Sequence, residues 1–170
     1  MVKRMLGYSG VAALLFIFAC NQSNVTEPDD HSKSKKLKMI VDKIEYQKLE
    51  ALRKSGKGVS DPFTIEKVEV VKDSLAITVS YLSAASKSEH TFTLCWAGEI
   101  AIMIYPMPAI LILTHNANGN TGNTKYNETL MFSLKDLGIK DSRDYIFIVW
   151  NLLNSSDKPD GTTTTKTNDN

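Results

Sequence analysis

The stretch "SLAITVSYLS", residues 74–83, has the clearest strand pattern in the sequence. Every second residue is large and apolar, and the positions between them are smaller or polar; the large residues are Leu75, Ile77, Val79 and Tyr81. This alternation is typical of a β-strand with one buried face. Residues 63–70 have a similar pattern, and Lys72-Asp73-Ser74 predicts a tight turn between the two runs. We therefore expect these strands to pair as a hairpin.

Further strand-like runs follow, separated by Gly, Pro and Asn residues. They cover residues 92–96, 100–105, 110–115, 124–132 and 145–150. A series of short strands with this punctuation favours a mainly β fold, namely an antiparallel β-sandwich of about seven strands over residues 59–154. A domain of this size can bury a core without disulfides or metal ions.

A helical segment is predicted before the sandwich, over residues 35–58. Its apolar residues recur at helical intervals from Leu37 to Leu52, and Glu50 and Lys54 stand at the i,i+4 spacing that favours an ion pair. The sequence Ser-Gly-Lys-Gly at 55–58 predicts where the helix ends.

The first 19 residues have the features of a secretory signal peptide. The basic pair Lys3-Arg4 precedes a mostly apolar run, residues 5–18, which is shorter than the roughly 20 residues of a membrane-spanning helix. The sequence Ile17-Phe18-Ala19-Cys20 resembles the lipobox of bacterial lipoproteins. By that resemblance, cleavage follows Ala19 and Cys20 receives fatty acyl chains such as palmitate. The alternative is an ordinary secretory signal in which Cys20 is incidental.

A lipidated Cys20 predicts anchoring in the bacterial cell envelope, at the outer membrane on its periplasmic or surface face. Two or more acyl chains hold a protein stably in a bilayer, so no membrane-spanning helix is needed. Residues 20–34 are polar, as is typical of a flexible tether. Residues 155–170 contain almost nothing apolar, and we expect this tail to be disordered.

The charge balance argues against a nucleic-acid partner. Lys3 and Arg4 account for two of the 20 basic residues, so cleavage after Ala19 leaves 18 basic against 19 acidic residues. The two signs are interspersed, whereas proteins that bind nucleic acids concentrate basic residues on one face.

Cys95 is the only cysteine besides Cys20, so a lipidated Cys20 leaves no intramolecular disulfide. It lies between Leu94 and Trp96 in a strand-like run, where a buried and hydrophobic role is expected. A nucleophilic cysteine would need a nearby base, and the sequence places none beside it.

Three segments, residues 75–94, 113–122 and 128–137, share a pattern of aromatic, histidine and loop positions. These positions are Tyr81, His90, Phe92, His115, Asn118, Gly119, Phe132 and Leu134. Together the segments resemble the C-terminal β-sandwich of the NigD-like lipoproteins of Gram-negative bacteria. The resemblance implies a sandwich fold and a place in the cell envelope. It implies no defined activity.

The sequence departs from the family pattern at several positions. Ser83-Ala84-Ala85 replaces a Gly-Gly-Cys turn, and no cysteine lies near residues 121–124. Asn116 and Asn120 stand where the pattern has acidic residues. The disulfide that the family pattern implies therefore cannot form in this chain.

His90 and His115 are the candidate residues for chemistry. If their strands are neighbours, both imidazoles and the Glu89 carboxylate converge, and two histidines with a carboxylate are a ligand set for zinc or copper. No closely spaced pair such as H-x-x-x-H supports this interpretation. The alternative is that each imidazole ties a loop to backbone carbonyl groups.

The loop "NANGN", residues 116–120, is expected to be a turn. Asn116, Asn118 and Asn120 superficially resemble a calcium loop, but a calcium site needs several carboxylates. Asn and Gly instead tolerate the positive φ that turns require. Since function gathers on loops held by a rigid scaffold, loops 83–90 and 115–124 are the expected contact surface.

The sequence contains no nucleophile elbow and no carboxylate pair at a distinctive spacing, so we expect neither enzyme activity nor a cofactor. Four aromatic residues are either core or a stacking surface for sugars: Trp96, Tyr105, Tyr145 and Trp150. The leading hypothesis is a lipid-anchored, non-catalytic binding or structural module whose partner is an envelope protein or a glycan. The alternative is an envelope metal-binding protein that uses His90 and His115.

Overall fold

The computed structural model describes residues 36–84, 90–99 and 104–163. Within these residues, eight β-strands form two sheets, and one α-helix packs on one of them. The elements in chain order are β1 (Lys36–Val41), α1 (Lys43–Lys54), β2 (Phe63–Val71), β3 (Ser74–Ser83), β4 (Thr91–Trp96), β5 (Met107–Asn116), β6 (Thr124–Ser133), β7 (Tyr145–Asn151) and β8 (Gly161–Thr162). A short 3-10 helix, Ser142–Asp144, precedes β7. The predicted mainly β, sandwich-like fold is confirmed.

The predicted hairpin lies in a three-stranded sheet with the order β2-β3-β6. β3 pairs antiparallel with β2 on one side and with β6 on the other. The apolar residues that predicted this strand are all buried: Leu75, Ile77, Val79 and Tyr81. The turn between β2 and β3 contains Lys72 with a φ of 54°, so the chain reverses through a left-handed residue.

The five-stranded sheet has the order β1-β4-β5-β7-β8 and is mixed. β1 pairs parallel with β4, and β5 pairs parallel with β7, so the prediction of an antiparallel sandwich is wrong for these two pairs. In both cases the chain leaves this sheet, forms strands of the other sheet, and returns in the same direction. Parallel pairing requires such a crossover, and the alternation within one strand contains no information about it.

The main core lies between the two sheets and is built from their facing side chains. Its fully buried members include Leu75, Ile77, Val79, Phe92, Leu94, Leu111, Leu113, Leu130, Phe147 and Val149. The helix covers the other face of the five-stranded sheet, where a second cluster contains Tyr46, Cys95, Ile112 and Leu152. Because both faces of β5 are covered, its residues 109–113 form a continuous apolar run.

The predicted helical segment, residues 35–58, is divided between a strand and a shorter helix. Residues Lys36–Val41 form β1, and α1 begins at Lys43 after its N-cap residue Asp42. The Oδ1 atom of Asp42 accepts a hydrogen bond from the Glu45 N–H at 2.7 Å, which satisfies a donor of the first helical turn.

The strand β1 contains the first apolar residues of the run that predicts a helix from residue 35. Leu37 and Met39 pack against the main core, whereas Ile40 packs against the second cluster. In a run of only six residues, the apolar positions fit the spacing of a helix as well as that of a strand. Pairing with β4 makes this run a strand.

The chain beyond residue 155 departs from the predicted disordered tail as far as Thr163. β8 pairs with β7, and the Thr163 N–H donates to the Phe147 carbonyl at 2.9 Å. The carboxylate of Asp160 accepts hydrogen bonds from the Asn151 N–H at 2.7 Å and from the Asn154 Nδ2 at 2.9 Å. This segment is held by polar contacts rather than by burial of apolar side chains. Because it contains almost no apolar residues, its composition predicted disorder.

The predicted signal peptide (1–19) and tether (20–34) lie outside the described residues, as do residues 164–170 of the tail. Among the residues that are described, no helix has the length and apolar character to span a membrane.

Candidate functional site

Two sequence-distant histidines meet at one end of the sandwich. His90 directly precedes β4, and His115 is the penultimate residue of β5. Because β4 and β5 are antiparallel neighbours, with Thr91 opposite Asn116, the two imidazoles come to the same edge of the sheet. Ser83, the last residue of β3 in the other sheet, reaches the same place.

The two imidazoles form the centre of a continuous chain of hydrogen bonds. The Nδ1 atom of His90 lies 2.8 Å from the Nε2 atom of His115. On one side, the Nε2 atom of His90 lies 2.9 Å from the Oγ atom of Ser83. On the other side, the Nδ1 atom of His115 lies 3.3 Å from the carbonyl oxygen of Asp61. We call these four residues the histidine chain.

The donor and acceptor of every hydrogen bond in the histidine chain follow from its last acceptor, the Asp61 carbonyl oxygen. A carbonyl oxygen can only accept, so the Nδ1 of His115 donates to Asp61 and a neutral His115 then accepts at Nε2. His90 consequently donates from Nδ1 and accepts at Nε2, where the Ser83 hydroxyl donates. All four ring nitrogens are therefore used with both imidazoles neutral.

The surroundings of the histidine chain are buried and aromatic. His90 is 1% exposed, His115 is 4% exposed and Ser83 is fully buried. The Phe92 ring stacks on His115 with ring centroids 4.4 Å apart, and Tyr81 lies 4.5 Å from His90. Burial, together with the adjacent His90, lowers the pKa of His115 below its ordinary value of 6.5, so the neutral form is favoured.

Residues 60–61 attach to the backbone on both sides of the His115 side chain. The Asp61 N–H donates to the His115 carbonyl at 2.9 Å, and the Ser60 Oγ accepts from the His115 N–H at the same distance. The Asp61 carboxylate accepts from the Ala117 N–H at 2.6 Å. The histidine chain thus joins the two sheets at this end of the sandwich. Asp61 precedes β2 and Ser83 ends β3 in one sheet. His90 precedes β4 and His115 lies near the end of β5 in the other sheet.

This arrangement has the connectivity of a serine nucleophile, a histidine base and an orienting group. A nucleophile must meet its substrate, however, and the Ser83 hydroxyl is completely enclosed. The buried, fully bonded state of the chain instead gives each member a structural use. The prediction that the imidazoles tie loops to backbone carbonyls is confirmed for His115, whereas His90 bonds to two side chains.

The geometry does not provide a metal site between the imidazoles. Two nitrogens that bind one tetrahedral zinc ion at about 2.0–2.1 Å are about 3.4 Å apart, and the observed 2.8 Å separation is that of a direct hydrogen bond. No set of three potential ligands occurs in the described part of the chain. Glu89, the third predicted ligand, lies outside it.

The Asn-rich loop is a turn, as its sequence predicted. Asn118 and Gly119 have positive φ values of 51° and 81°, and the Asn116 Oδ1 accepts from the Asn118 N–H at 2.7 Å. Asn116 and Asn118 are exposed, but Asn120 is buried and its Oδ1 accepts from the Ala84 N–H at 3.2 Å. Asn120 therefore braces the loop against the end of β3, and the surface is formed by the other two asparagines.

The remaining candidate residues are distributed over the fold. Cys95 is fully buried, and burial raises the pKa of its thiol to about 11, which confirms the expected hydrophobic role. Trp96 is buried in the core and Tyr105 is exposed. Cys20 lies outside the described residues, so its predicted lipidation stays a prediction.

Sequence reasoning did not find the partners of the two histidines. In the sequence, Ser83 is only a departure from the family turn, and Asp61 contributes a backbone carbonyl that every residue has. Arg53 was also missed: it is 5% exposed, lies 3.9 Å over the Trp150 ring and donates to the Asn154 and Ser156 carbonyls. Its place in the last turn of a helix predicts contact with the carbonyls of that helix, whereas its acceptors belong to a segment about 100 residues later, which no local pattern indicates.

Comparison with known proteins gives distant structural likenesses. No protein-family model matches the chain, and no curated protein matches it. A NigD-like immunity protein from Bacteroides caccae superposes with a TM-score of 0.44 at 13% identity, over 69% of this chain and 51% of that protein. A protein of unknown function, DUF1344, from Bacteroides vulgatus gives a TM-score of 0.42 at 15% identity, over 75% of this chain and 54% of that one.

The chain thus spans about half the length of these two solved structures. Likenesses of this size establish neither family membership nor activity.

Proposed function

We propose that this protein is a lipid-anchored lipoprotein of the bacterial cell envelope whose β-sandwich is a non-catalytic binding module. The observation that carries the non-catalytic part is the histidine chain. The two side chains best suited to acid-base or metal chemistry bond to each other, inside the protein, and have no nitrogen left over. Their use is to fix the loops at this end of the sandwich.

The anchoring part of the proposal is supported by the leader sequence. A basic pair, a short apolar run and Ala19-Cys20 stand in the order that lipoprotein signal peptides have. The described fold begins with β1 at Lys36, beside Thr91, and hence at the end that carries the histidine chain. A lipidated Cys20 would join the fold at that end through residues 21–35.

The binding part is supported by the surface that the histidine chain braces. Asn116 and Asn118 are exposed there on a turn whose backbone is held by Asp61 and Asn120. Leu82, beside Ser83, is 56% exposed. Preorganised loops with mixed polar and apolar groups are suited to a protein or glycan partner, because little entropy is lost on binding.

The anchor is tested by replacing Cys20 with Ser. We expect the variant to leave the membrane fraction and to lose labelling by radioactive palmitate, since the acyl chains have no attachment point. Cys95→Ala is the matched control, because it removes the other thiol and leaves the leader intact. Retention of Cys20→Ser in membranes with undiminished labelling would refute the anchor.

The binding surface is tested by photo-crosslinking in living cells. A photoreactive amino acid at Asn118 is expected to give a discrete adduct with an envelope component. The same group at Met131, which is exposed on β6, serves as the control. An adduct from Met131 that matches the one from Asn118 would show that the loop has no special role.

The second candidate function, metal binding, is favoured by the closeness of the two imidazoles alone. It requires His90 and His115 to separate and admit an ion, with Glu89 as a third ligand. Metal analysis of the purified protein decides between the proposals. Stoichiometric zinc or copper that disappears in a His90→Phe/His115→Phe variant would replace the structural role with metal binding.

A further inference from the structure

A polar cleft lies at the end of the sandwich opposite to the histidine chain. It has a volume of about 760 Å³, is open to solvent, and is lined by the turn between β2 and β3 and by the segment between β6 and β7. β3 runs from Ser74 at the cleft to Ser83 at the histidine chain, ten residues or about 30 Å away. The cleft therefore belongs to a different surface from the loops discussed above.

Three lysines line the cleft: Lys72, Lys135 and Lys140. All three are exposed, and no carboxylate of the described residues lies within ion-pair distance of them. Five other lysines do lie 2.7 to 3.7 Å from a glutamate oxygen, namely Lys43, Lys48, Lys54, Lys67 and Lys125. The cleft thus brings together three lysines that form no ion pair with a carboxylate of the described residues.

The acidic residues of the cleft do not cancel this charge. Asp141 is bound by Arg143, with Nη2 2.6 Å and Nε 3.0 Å from its carboxylate oxygens. That contact holds the pKa of Asp141 down to about 2, so the pair stays ionic and mutually neutral. Among the described residues of the lining, Asp73 is the remaining acid, which leaves three lysines against one carboxylate.

The walls of the cleft are fixed by backbone hydrogen bonds. The Leu134 N–H donates to the Asp73 carbonyl at 2.9 Å, which ties the wall after β6 to the turn between β2 and β3. The Ile139 N–H donates to the Leu134 carbonyl at 2.9 Å, and both of these side chains are buried. Ser133 and Ser142 add hydroxyl groups to the lining.

We propose that this cleft binds a phosphorylated saccharide. Ammonium groups bind phosphate oxygens as point charges, and serine hydroxyls and backbone groups bind sugar hydroxyls. The volume is within the range of roughly 300–1,000 Å³ that small-molecule sites occupy. The described residues of the lining include no aromatic ring on which a nucleobase could stack, which favours a sugar over a nucleotide. The inference adds a binding site to the surface proposed at the histidine chain, and it rests neither on that surface nor on the lipid anchor.

Binding is measured by isothermal titration of the purified protein with glucose 1,6-bisphosphate, inorganic phosphate and glucose. We expect the bisphosphate to bind more tightly than either of the others, and its affinity to fall as the salt concentration rises. No measurable binding of the bisphosphate, or equal binding of glucose, would overturn the proposal. Equal binding of inorganic phosphate would overturn the saccharide part.

The residues are tested with a triple variant, Lys72→Gly/Lys135→Ala/Lys140→Ala. We expect at least a tenfold loss of affinity for the bisphosphate. Glycine at position 72 suits the φ of 54°, so the turn is retained while the ammonium group is removed. The control, Lys38→Ala/Lys57→Ala/Lys158→Ala, removes the same charge from exposed lysines elsewhere and should change the affinity less than twofold.

Equal losses of affinity in the two triple variants would show that only the net charge of the protein matters, and this would overturn the site. Thermal unfolding of both variants checks that the fold is intact. The triple variant of the cleft should remain in the membrane fraction, and Cys20→Ser should retain the affinity for the bisphosphate. Failure of the cleft is therefore distinguishable from failure of the anchor.

Discussion

The Nδ1 atom of His90 and the Nε2 atom of His115 lie 2.8 Å apart, and each ring uses its other nitrogen on a different segment of the chain. A contact between two neutral imidazoles is directional, because one must donate and the other accept. It therefore fixes two tautomers and two ring orientations at once, and with them the ends of β3 and β5.

Breaking the histidine chain at one member should be costly. We expect His90→Phe to lower the free energy of unfolding by about 2–3 kcal/mol, because the Ser83 hydroxyl and the Nε2 of His115 lose this partner in a buried site. His115→Phe should have a similar effect. Urea unfolding measures both values.

The double variant His90→Phe/His115→Phe should be less destabilised than the sum of the single variants, by at least about 1 kcal/mol. Removal of both imidazoles takes a partner from two groups, the Ser83 hydroxyl and the Asp61 carbonyl, whereas the two single removals together take a partner from four. Strict additivity would show that the two side chains contribute independently.

The free energy of unfolding should decrease as the pH falls below 6.5, the ordinary pKa of histidine. The pKa of His115 is lowered from 6.5 in the folded state, so the unfolded chain takes up a proton that the folded protein resists. The limiting slope is about 1.4 kcal/mol per pH unit for one histidine, and it vanishes above the unfolded pKa, where both states are neutral. Urea unfolding between about pH 7.5 and pH 5.5 measures the slope.

The double phenylalanine variant is the reference for this pH dependence. It retains the carboxylates that titrate at lower pH, so the difference in slope between the two proteins isolates the imidazoles. Identical slopes would mean that His115 has the same pKa in the folded and unfolded states.

The contact of Arg53 should stabilise the segment after β7. Its guanidinium covers Trp150 and donates to the Asn154 and Ser156 carbonyls, at 2.8 and 3.1 Å. Arg53→Lys replaces a planar fork by a point charge, and we expect a loss of about 1–2 kcal/mol and faster proteolysis near residues 155–160. Lys54→Ala, next to it and exposed, should change stability by less than about 0.5 kcal/mol.

The thiol of Cys95 should not react in the folded protein. It is fully buried and its pKa is raised to about 11, so the thiolate is scarce and enclosed. In the Cys20→Ser variant, Ellman's reagent should label no thiol before addition of urea and one thiol afterwards. Rapid labelling of the native protein would show that the helix α1 opens from the sheet.

The turn at Asn118 and Gly119 gives a purely conformational test. No atom lies within 4 Å of a Cβ added to Gly119, so Gly119→Ala should cost about 1 kcal/mol through its φ of 81° alone. Asn118→Gly should cost little. A rise in melting temperature on addition of calcium would contradict the interpretation of this loop as a simple turn.

The sequence predicted those features of the fold that depend on neighbouring residues. Leu75 to Tyr81 alternate, and the hairpin with β2 forms as expected; the Asn-rich turn likewise uses residues that tolerate positive φ. Composition could not predict the segment up to Thr163, because its stability comes from the Asp160 carboxylate rather than from apolar side chains.

The sequence did not predict the features of the fold that depend on residues distant in the chain. The parallel partner of β1 is β4, about fifty residues later in the chain, and no local pattern specifies it. The same holds for the candidate site, where His90 and His115 were identified as residue types but Ser83 and the Asp61 carbonyl became partners only through strand order.

The pairing of Lys36 with Thr91 and of Val41 with Trp96 also has a consequence for biosynthesis. A chain that emerges from the ribosome with its N-terminus first exposes the opening strand long before the strand it bonds to has been made. Lys36–Val41 therefore has no sheet partner until residue 96 has been made, by which time β2 and β3 are already complete.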